Sequence, residues 1–176
     1  MSAARESLVL SRVPSPLGSL FAVSDASGRL RALDFEDCEP RLRRLLCAHC
    51  GAGAELAPGP APLTVVESLG AFFRGDLCVL DAVPVRTGGT DFQRRVWAAL
   101  REIPSGATTS YGALARALGK PTAYRAVGLA NGANPIAIVV PCHRVVGADG
   151  ALTGYAGGLA RKRWLLEHEQ RWRHAA

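Results

Sequence analysis

The segment PIAIVV, residues 135–140, restricts the fold of this chain more than any other stretch. It is an apolar run that opens with one proline and is followed at once by another, Pro141. Its length and its β-branched residues predict a buried strand. Pro141 ends that strand, because proline has no backbone N–H to donate to a sheet. Cys142 and His143 therefore emerge at a stiff bend, out of apolar surroundings.

The adjacent Cys142 and His143 raise a geometric question, since neighbours on a strand point to opposite faces. They can cooperate only if the backbone turns sharply or a water molecule bridges them. The alternative is an inert buried cysteine beside a solvent-facing histidine, because burial raises the pKa of a thiol. A catalytic histidine also needs a third group to orient it. Glu167 and Glu169 in the C-terminal helix are both candidates.

The first third of the chain predicts a small sheet followed by helices. LVLSRV, SLFAV and RLRALDFE are separated by turn sequences and predict two or three antiparallel strands. EPRLRRLLCAH and PLTVVESLGAFFRG predict helices, with GAGAELAPGPAP as a loop between them. The second helix should bury one stripe, and Cys78 should lie in a core strand; the stripe comprises Val65, Val66, Leu69, Phe72 and Phe73.

The segment RTGGT, residues 86–90, is predicted to link two domains, with Thr90 or Asp91 capping the next helix. Further on, residues 111–118 and about 122–132 predict two short helices across a tight turn. This is the helix-turn-helix arrangement, whose second helix enters a DNA groove. That helix carries small side chains with Arg125 as its only long charged residue, so we expect binding with little dependence on base sequence.

Charge is distributed unevenly along the chain. From Arg86 onward there are 13 Lys or Arg against 5 Asp or Glu, a net +8, whereas the first 85 residues carry 8 against 10, a net −2. The asymmetry favours a polyanion such as nucleic acid as partner, and a basic solvated surface is the alternative. Five cysteines, an odd number, are typical of thiols in a reducing compartment. Without a long apolar segment or a signal peptide, we expect a soluble cytoplasmic protein.

Within residues 92–169 the motif PCHRV follows ANP and precedes GYAGG, and PLGSLFAV and AFFRGD lie nearer the N-terminus. On these motifs the chain closely resembles the methylated-DNA–protein-cysteine methyltransferases of bacterial type, also called O6-alkylguanine-DNA alkyltransferases. The likeness is strongest over residues 92–169, and PLGSLFAV and AFFRGD resemble the family's N-terminal domain. The resemblance implies an α+β fold. Residues 1–87 would form a ribonuclease-H-like unit, a small antiparallel sheet with helices, and residues 88–176 a helical, winged helix-turn-helix-like domain that carries the active site.

The implied function is DNA repair by direct reversal. Cys142 would take the alkyl group from O6-alkylguanine, with O4-methylthymine as a second candidate substrate. His143 would accept the thiol proton through a water molecule, and Glu169 would orient and charge His143. Tyr111 would donate to guanine N3, and Asn134 would tie the second helix to the active-site segment. The product is a thioether, which water does not cleave, so each molecule would react once.

The resemblance also implies how damaged DNA is held. The target nucleotide would be flipped out of the duplex through the minor groove, and Arg125 would take its place. DNA contact is assigned to Ser110, Tyr111, Arg125, Ala126 and Gly128. The backbone at Cys142 and Val145 would read the exocyclic amine, while Tyr155 and Ala156 would close over the base. Some family members carry serine at the position of Ala156, so here only the backbone donor remains. Tyr124 is bulkier than the small residue often found there.

Double-stranded DNA is the expected partner, with a monomeric protein, no cofactor and no membrane. Some family members bind a structural zinc, and Cys38, Cys47, His49 and Cys50 suggest one here. The CAHC segment lacks a regular second ligand pair, so ordinary helix residues are expected instead.

Three other functions compete with alkyl transfer. A cysteine hydrolase or acyltransferase could use the same Cys-His-Glu set, but the helix-turn-helix and the basic half count against it. A DNA-binding module without transfer chemistry, as in alkyltransferase-like proteins, would lack the reactive Cys142. A methylation-activated regulator would need an additional N-terminal sensor domain.

Overall fold

The N-terminal part is a sheet flanked by helices. The structure, a computed structural model, describes residues 6–51 and 54–173. Strands β1 (Ser7–Val13), β2 (Leu20–Asp25) and β3 (Leu30–Phe35) form an antiparallel meander, which confirms the predicted strands. Helix α1 (Glu39–Cys50) follows β3. The sheet order is β3-β2-β1-β4, because a further strand pairs with β1 in parallel.

That further strand, β4 (Glu55–Pro58), lies where only a loop was predicted. Its backbone pairs with the edge of β1, with Leu8 opposite Leu56. Its residues are exposed or half-buried and therefore lack the apolar alternation that identifies a strand in a sequence. The loop prediction was wrong for this segment because backbone pairing, and not side-chain burial, holds it.

Helix α2 (Leu63–Phe73) buries Val65, Leu69 and Phe72, whereas Val66 is exposed and Phe73 only partly buried. The predicted stripe was therefore too wide. A 3-10 helix at Leu77–Ala82 replaces the strand predicted around Cys78, whose side chain is exposed. Leu77, Leu80 and Val83 are buried at intervals of three residues, which is the period of a 3-10 helix and not of a strand.

The C-terminal part is largely helical. Helix α3 (Asp91–Arg101) begins with a capping box in which Thr90 Oγ1 accepts from the Gln93 backbone N–H at 3.2 Å. The two short predicted helices are α4 (Tyr111–Ala117) and α5 (Tyr124–Gly132), and α6 (Leu159–Trp172) follows. Strand β5 (Thr109–Ser110) precedes α4, strand β6 (Val145–Val146) precedes α6, and the two strands pair in parallel. None of the helices that the structure describes is long and apolar enough to cross a membrane.

The run PIAIVV is buried but does not form the predicted strand. Only Ile136 makes a bridge to the sheet, opposite Leu33 on β3, and the chain then turns, with Ile138 at a φ of 70°. The Val140 N–H donates to the Ile136 carbonyl at 3.0 Å. An unbroken apolar run indicates that the segment is buried on all sides. It has no hydrophobic periodicity, so it does not distinguish a strand from a buried turn.

A buried core joins the two predicted domains. Within the described ranges, a single cluster contains Leu33 of the sheet, Phe72 of α2, Trp97 of α3, Val127 of α5 and Leu165 of α6. A second, smaller cluster lies between the sheet and α1. The segment that leads to Cys142 is thus anchored on both parts of the molecule.

Candidate active site

Cys142 is the first residue of a 3-10 turn, Cys142–Arg144, directly after Pro141. Its side chain is 7% exposed and lies in the wall of a cavity of about 290 Å³. Successive residues of a 3-10 turn point about 120° apart, so both Cys142 and His143 can face the interior. The predicted residues that share this cavity with Cys142 are Tyr111, Gly128, Tyr155 and Ala156.

His143 is fully buried, so the alternative of a solvent-facing histidine is wrong. Its Nε2 lies 2.8 Å from Oε1 of Glu169, which is also fully buried and comes from α6. The sequence alone did not choose between Glu167 and Glu169 as the partner of His143. In the structure, that partner is Glu169. His143 Nδ1 is buried and has no hydrogen-bond partner among residues 6–51 and 54–173.

Glu169 also binds Arg144, a residue that the sequence analysis did not assign. Arg144 Nε donates to Oε2 at 3.0 Å and Nη2 donates to Oε1 at 2.9 Å, while the Gly106 backbone N–H donates to Oε2 at 2.9 Å. Burial alone would raise the pKa of this carboxyl, but His143 and Arg144 outweigh burial and lower the pKa to about 2. Glu169 is therefore an anion held between two basic side chains. The adjacency of Arg144 to His143 in the PCHRV motif was the available signal.

Burial has the largest effect on the pKa of the Cys142 thiol. Burial raises its pKa, while the side-chain amide of Asn134 and the charges of Arg41 and Lys162 act in the opposite direction. The thiol is therefore protonated at neutral pH. A nucleophilic thiolate can form here only when a nearby base takes the proton.

Asn134 follows α5 and fixes the chain before Cys142. Its Nδ2 donates to the Val140 carbonyl at 2.8 Å and to the Ile136 carbonyl at 3.3 Å. Its Oδ1 accepts from the Ile136 N–H at 3.0 Å. Arg41 of α1 donates to the Asn134 carbonyl at 2.9 Å and so joins the N-terminal part to this corner.

Lys162 is a further buried residue that the sequence did not single out. Its Nζ donates to the carbonyl of Val145 at 2.6 Å and to that of Thr153 at 2.7 Å. Burial lowers the pKa of this lysine. By bridging β6 to the chain at Thr153, Lys162 holds the loop that carries Tyr155 and Ala156 against the cavity.

The two tyrosines of the cavity have different surroundings. The Tyr111 hydroxyl accepts from Thr153 Oγ1 at 3.3 Å, which leaves its own proton free to donate. The Tyr155 hydroxyl is buried and, in the part of the chain that the structure describes, has no partner. Its burial raises the pKa of Tyr155 well above the ordinary value.

The predicted residues Ser110, Arg125, Ala126 and Val145 are not among those that line this cavity. Ser110 caps α4, where its Oγ accepts from the Ala113 N–H at 3.1 Å. Arg125 and Ala126 are exposed on α5. The Arg125 guanidinium lies 5.8 Å from the Tyr124 ring centre. Val145 is fully buried in β6, directly after the turn at Cys142–Arg144.

The CAHC segment lies at the end of α1. The His49 ring packs edge-on against Trp97, with ring centres 5.4 Å apart, and Cys47 is exposed. Cys50 accepts from Arg31 Nη2 at 3.1 Å. Within the described residues, no group of three or more His, Cys, Asp or Glu side chains is arranged to hold a metal ion.

The sequence and the fold match proteins of one family. The family model for the 6-O-methylguanine DNA methyltransferase, DNA binding domain, matches residues 91–171. The methylated-DNA–protein-cysteine methyltransferase of Salmonella typhimurium is 51% identical over 163 residues, which covers 92% of this chain and 95% of that protein. The enzyme of the same name from Mycolicibacterium paratuberculosis is 61% identical over 106 residues, 60% of this chain and 64% of that protein.

The structural likeness extends over nearly the whole chain. The crystal structure of Mycobacterium tuberculosis OGT in complex with DNA has a TM-score of 0.78 and 43% sequence identity, and the match covers 93% of this chain and 94% of that one. Likeness of sequence and of fold thus coincide over both parts of the molecule. The protein therefore belongs to the methylated-DNA–protein-cysteine methyltransferases, DNA-repair enzymes that transfer an alkyl group from DNA to a cysteine.

Proposed function

We propose that Cys142 is the cysteine that accepts the alkyl group and that the substrate is O6-alkylguanine in DNA, with O4-methylthymine as a second candidate substrate. One observation carries this proposal. His143, the residue next to Cys142, makes a buried contact of 2.8 Å through its Nε2 with Glu169 Oε1. A nucleophile, a base and a group that orients the base are the components of an activated thiol.

The proton of the thiol is the first to move. His143 Nδ1, which lacks a partner among the described residues, accepts it through a bridging water molecule. Glu169 stabilises the imidazolium that results, because it remains ionised throughout. The thiolate then attacks the alkyl carbon, the carbon–O6 bond breaks, and its electron pair stays on the purine. Tyr111 donates to N3 as that negative charge develops.

The cavity receives the flipped base. The carbonyl groups of Cys142 and Val145 accept from the exocyclic amine, and Tyr155 and Ala156 cover the base from the loop that Lys162 holds. The Ala156 N–H is the donor toward O6, since alanine offers no side-chain hydroxyl. The cavity volume of about 290 Å³ is close to the lower end of the range for small-molecule sites, about 300 Å³.

DNA lies against α4 and α5 and is bound through its minor groove. The small residues Ala126 and Gly128 let the α5 backbone approach closely, and Ser110 and Tyr111 contact the phosphate chain at the start of α4. Arg125 enters the stack where the target nucleotide was and offsets part of the unstacking cost of a few kcal/mol. Because small residues read few base edges, binding depends little on sequence.

Each molecule reacts once. Sulfur and the alkyl carbon form a thioether, which has no carbonyl centre that water could attack. The transfer requires no external electron and no second group, so we propose that the protein works without a cofactor. It acts as a cytoplasmic monomer on double-stranded DNA.

We further propose the finer architecture. Residues 1–87 form a ribonuclease-H-like unit, and residues 88–176 form a winged helix-turn-helix-like domain, in which β5 and β6 lie next to the helix pair. The shared core that contains Leu33 and Trp97 supports a fixed arrangement of the two.

Titration of the protein with an oligonucleotide that contains O6-methylguanine tests this function. We expect the yield of demethylated DNA to rise linearly and to stop at one per protein molecule. A yield that continues to rise past that point would show turnover and contradict the thioether mechanism. A matched unmethylated oligonucleotide is the control for DNA binding without transfer.

A further inference from the structure

Helix α5 begins with a bulky aromatic residue that the proposed function does not use. Tyr124 is the first residue of the helix and is 47% exposed. The residue often found at this position in the family is small, so the ring is a feature of this chain. A single exposed aromatic side chain is ordinary, and exposure alone assigns it no role. Its place on the helix is more informative.

Tyr124 lies one helical turn before Gly128. Residues four apart are neighbours on one face of a helix, so Tyr124, Gly128 and Gly132 form one row along α5. Gly128 and Gly132 line the cavity that contains Cys142. Tyr124 therefore lies at the start of the row that leads to this cavity, and the next residue in the chain is Arg125.

The charges around Tyr124 favour a polyanion. Residues 103–148 contain no Asp or Glu, whereas Arg116, Lys120 and Arg125 are exposed on the two short helices and the turn between them. The Arg125 guanidinium lies 5.8 Å from the centre of the Tyr124 ring. The ring and the guanidinium are thus available to the same stretch of DNA.

Flipping a nucleotide out of a duplex exposes the faces of the bases that were stacked on it. A guanidinium is smaller than a nucleobase, so Arg125 covers these faces only in part. An aromatic ring beside the guanidinium covers more of them. Stacking of one base on an aromatic ring is worth roughly fivefold to a hundredfold in affinity, and it tolerates any sequence because every base has a π face.

We propose that Tyr124 is a further DNA-binding residue, whose ring stacks on an exposed base next to the flipped nucleotide, beside the guanidinium of Arg125. This inference rests on the proposed function, because it requires the target nucleotide to leave the duplex. A ring that instead obstructs the approach of α5 to DNA predicts the opposite result, since its removal would then strengthen binding.

Two substitutions separate the ring of Tyr124 from its hydroxyl. Tyr124→Leu removes the ring and keeps an apolar side chain, whereas Tyr124→Phe keeps the ring. We expect Tyr124→Leu to slow transfer from an O6-methylguanine duplex roughly tenfold more than the reaction with free O6-benzylguanine, which has no stack to open. Tyr124→Phe should stay within about twofold of the unaltered protein, because stacking is retained. Faster duplex transfer by Tyr124→Leu, or an equal loss in Tyr124→Phe, would overturn the stacking role.

A ring that acts only by holding Arg125 predicts a different result. An exposed cation–π contact is worth roughly twofold to fivefold and is lost together with the guanidinium. In an Arg125→Ala background, Tyr124→Leu should still slow duplex transfer roughly fivefold or more, because the base contact does not depend on the arginine. No further slowing in that background would contradict stacking. Leu63→Ala on α2 is the matched control, since Leu63 is 73% exposed, and it should change neither reaction.

A fluorescence measurement separates this inference from the proposed function. Two duplexes carry 2-aminopurine, a base that brightens when it is unstacked, on one or the other side of O6-methylguanine. In a Cys142→Ala background, one bound duplex should be brighter with Tyr124→Leu than with Tyr124 or Tyr124→Phe. If this difference appears while the unaltered protein transfers no methyl group, the stacking role stands and the transfer role of Cys142 fails. Equal brightness with all three side chains would overturn the stacking role.

Discussion

Glu169 connects His143 and Arg144, the two basic residues that follow Cys142. It contacts His143 at 2.8 Å and binds Arg144 through two guanidinium nitrogens, with all three side chains buried. A carboxylate in this position does more than orient a ring. It also compensates the charge of Arg144, which donates to the carbonyl of Ile103 and to Ser105 and so fixes the loop behind the site.

Replacement of Glu169 by glutamine should therefore reduce stability as well as transfer. We expect the free energy of unfolding at neutral pH to fall by about 3–5 kcal/mol, because the change leaves the buried Arg144 cation without its counter-charge. Denaturant unfolding of both proteins measures the difference. Arg43→Ala, which breaks an exposed pair with Glu39, is the control and should cost no more than about 1 kcal/mol.

The same variant has a defined pH dependence. The pKa of Glu169 is lowered from 4.5 to about 2 in the folded state, so folding favours its ionised form. The stabilisation is complete above the ordinary pKa of 4.5 and is lost as the pH falls toward 2. The gap between the unaltered protein and Glu169→Gln should narrow across this window. A gap that stays constant down to pH 2 would contradict the assigned charge state.

Lys162 offers a second test at a single residue. Lys162→Met keeps the apolar stem and removes the donors to the Val145 and Thr153 carbonyls. We expect the loop over the cavity to loosen and transfer to slow roughly tenfold or more, as hydrogen bonds from a charged donor are lost. Limited proteolysis between residues 147 and 158 monitors the loop. Unchanged transfer and unchanged proteolysis would show that the lysine does not hold it.

At the scale of elements, periodic segments are predictable and the site segment is not. Helices α1, α3, α4 and α5 follow from their apolar spacing and from the Thr90 cap, each within a few residues of the structure. The run PIAIVV has no period, and its turn depends on side-chain bonds from Asn134 that the sequence does not encode locally. Strand β4 likewise depends on a partner strand far away in the chain.

The residues of the site divide in the same way into those that the sequence predicts and those that depend on distant partners. The motif PCHRV directs attention to Cys142 and His143, and the resemblance selects Glu169. Arg144 and Lys162 were missed because their importance arises from burial and from partners distant in sequence. Lys162 is one of several charged residues in α6, and nothing in the local sequence marks it as the buried one. Its role becomes visible only when the fold brings the carbonyls of Val145 and Thr153 to it.

Helix α5 supplies a test of DNA engagement. Arg125 is exposed on this helix, as required of a side chain that enters the duplex. We expect Arg125→Ala to slow repair of duplex DNA roughly tenfold and to leave the reaction with free O6-benzylguanine unchanged, because only the duplex requires unstacking. Equal slowing of both reactions would remove this role. Arg43→Ala again serves as the charge-matched control.

The whole molecule has its two parts joined by more than a linker. Arg41 of α1 binds Asp34 on β3 at 2.6 Å and donates to the Gly132 carbonyl at the end of α5 at 2.7 Å. Trp97 Nε1 donates to the Ala130 carbonyl at 2.8 Å within the shared core. The N-terminal part therefore supports the position of α5 and of the segment that ends at Cys142.

This continuity predicts cooperative unfolding. We expect a single calorimetric transition whose van't Hoff and calorimetric enthalpies agree, since a core shared between both parts cannot melt in halves without exposing apolar surface. Two well-separated transitions would show that residues 1–87 and 88–176 are stable independently.

The central claim, that Cys142 is the acceptor, is tested most directly by peptide mass mapping after reaction with an O6-methylguanine oligonucleotide. Cys47 and Cys78 are exposed, whereas Cys142 is buried, so accessibility alone would favour the wrong cysteines. We predict the mass of one added methylene on the peptide that contains Cys142, and no addition to any peptide of Cys142→Ala. Methylation of another cysteine, or transfer that survives in Cys142→Ala, would contradict the account.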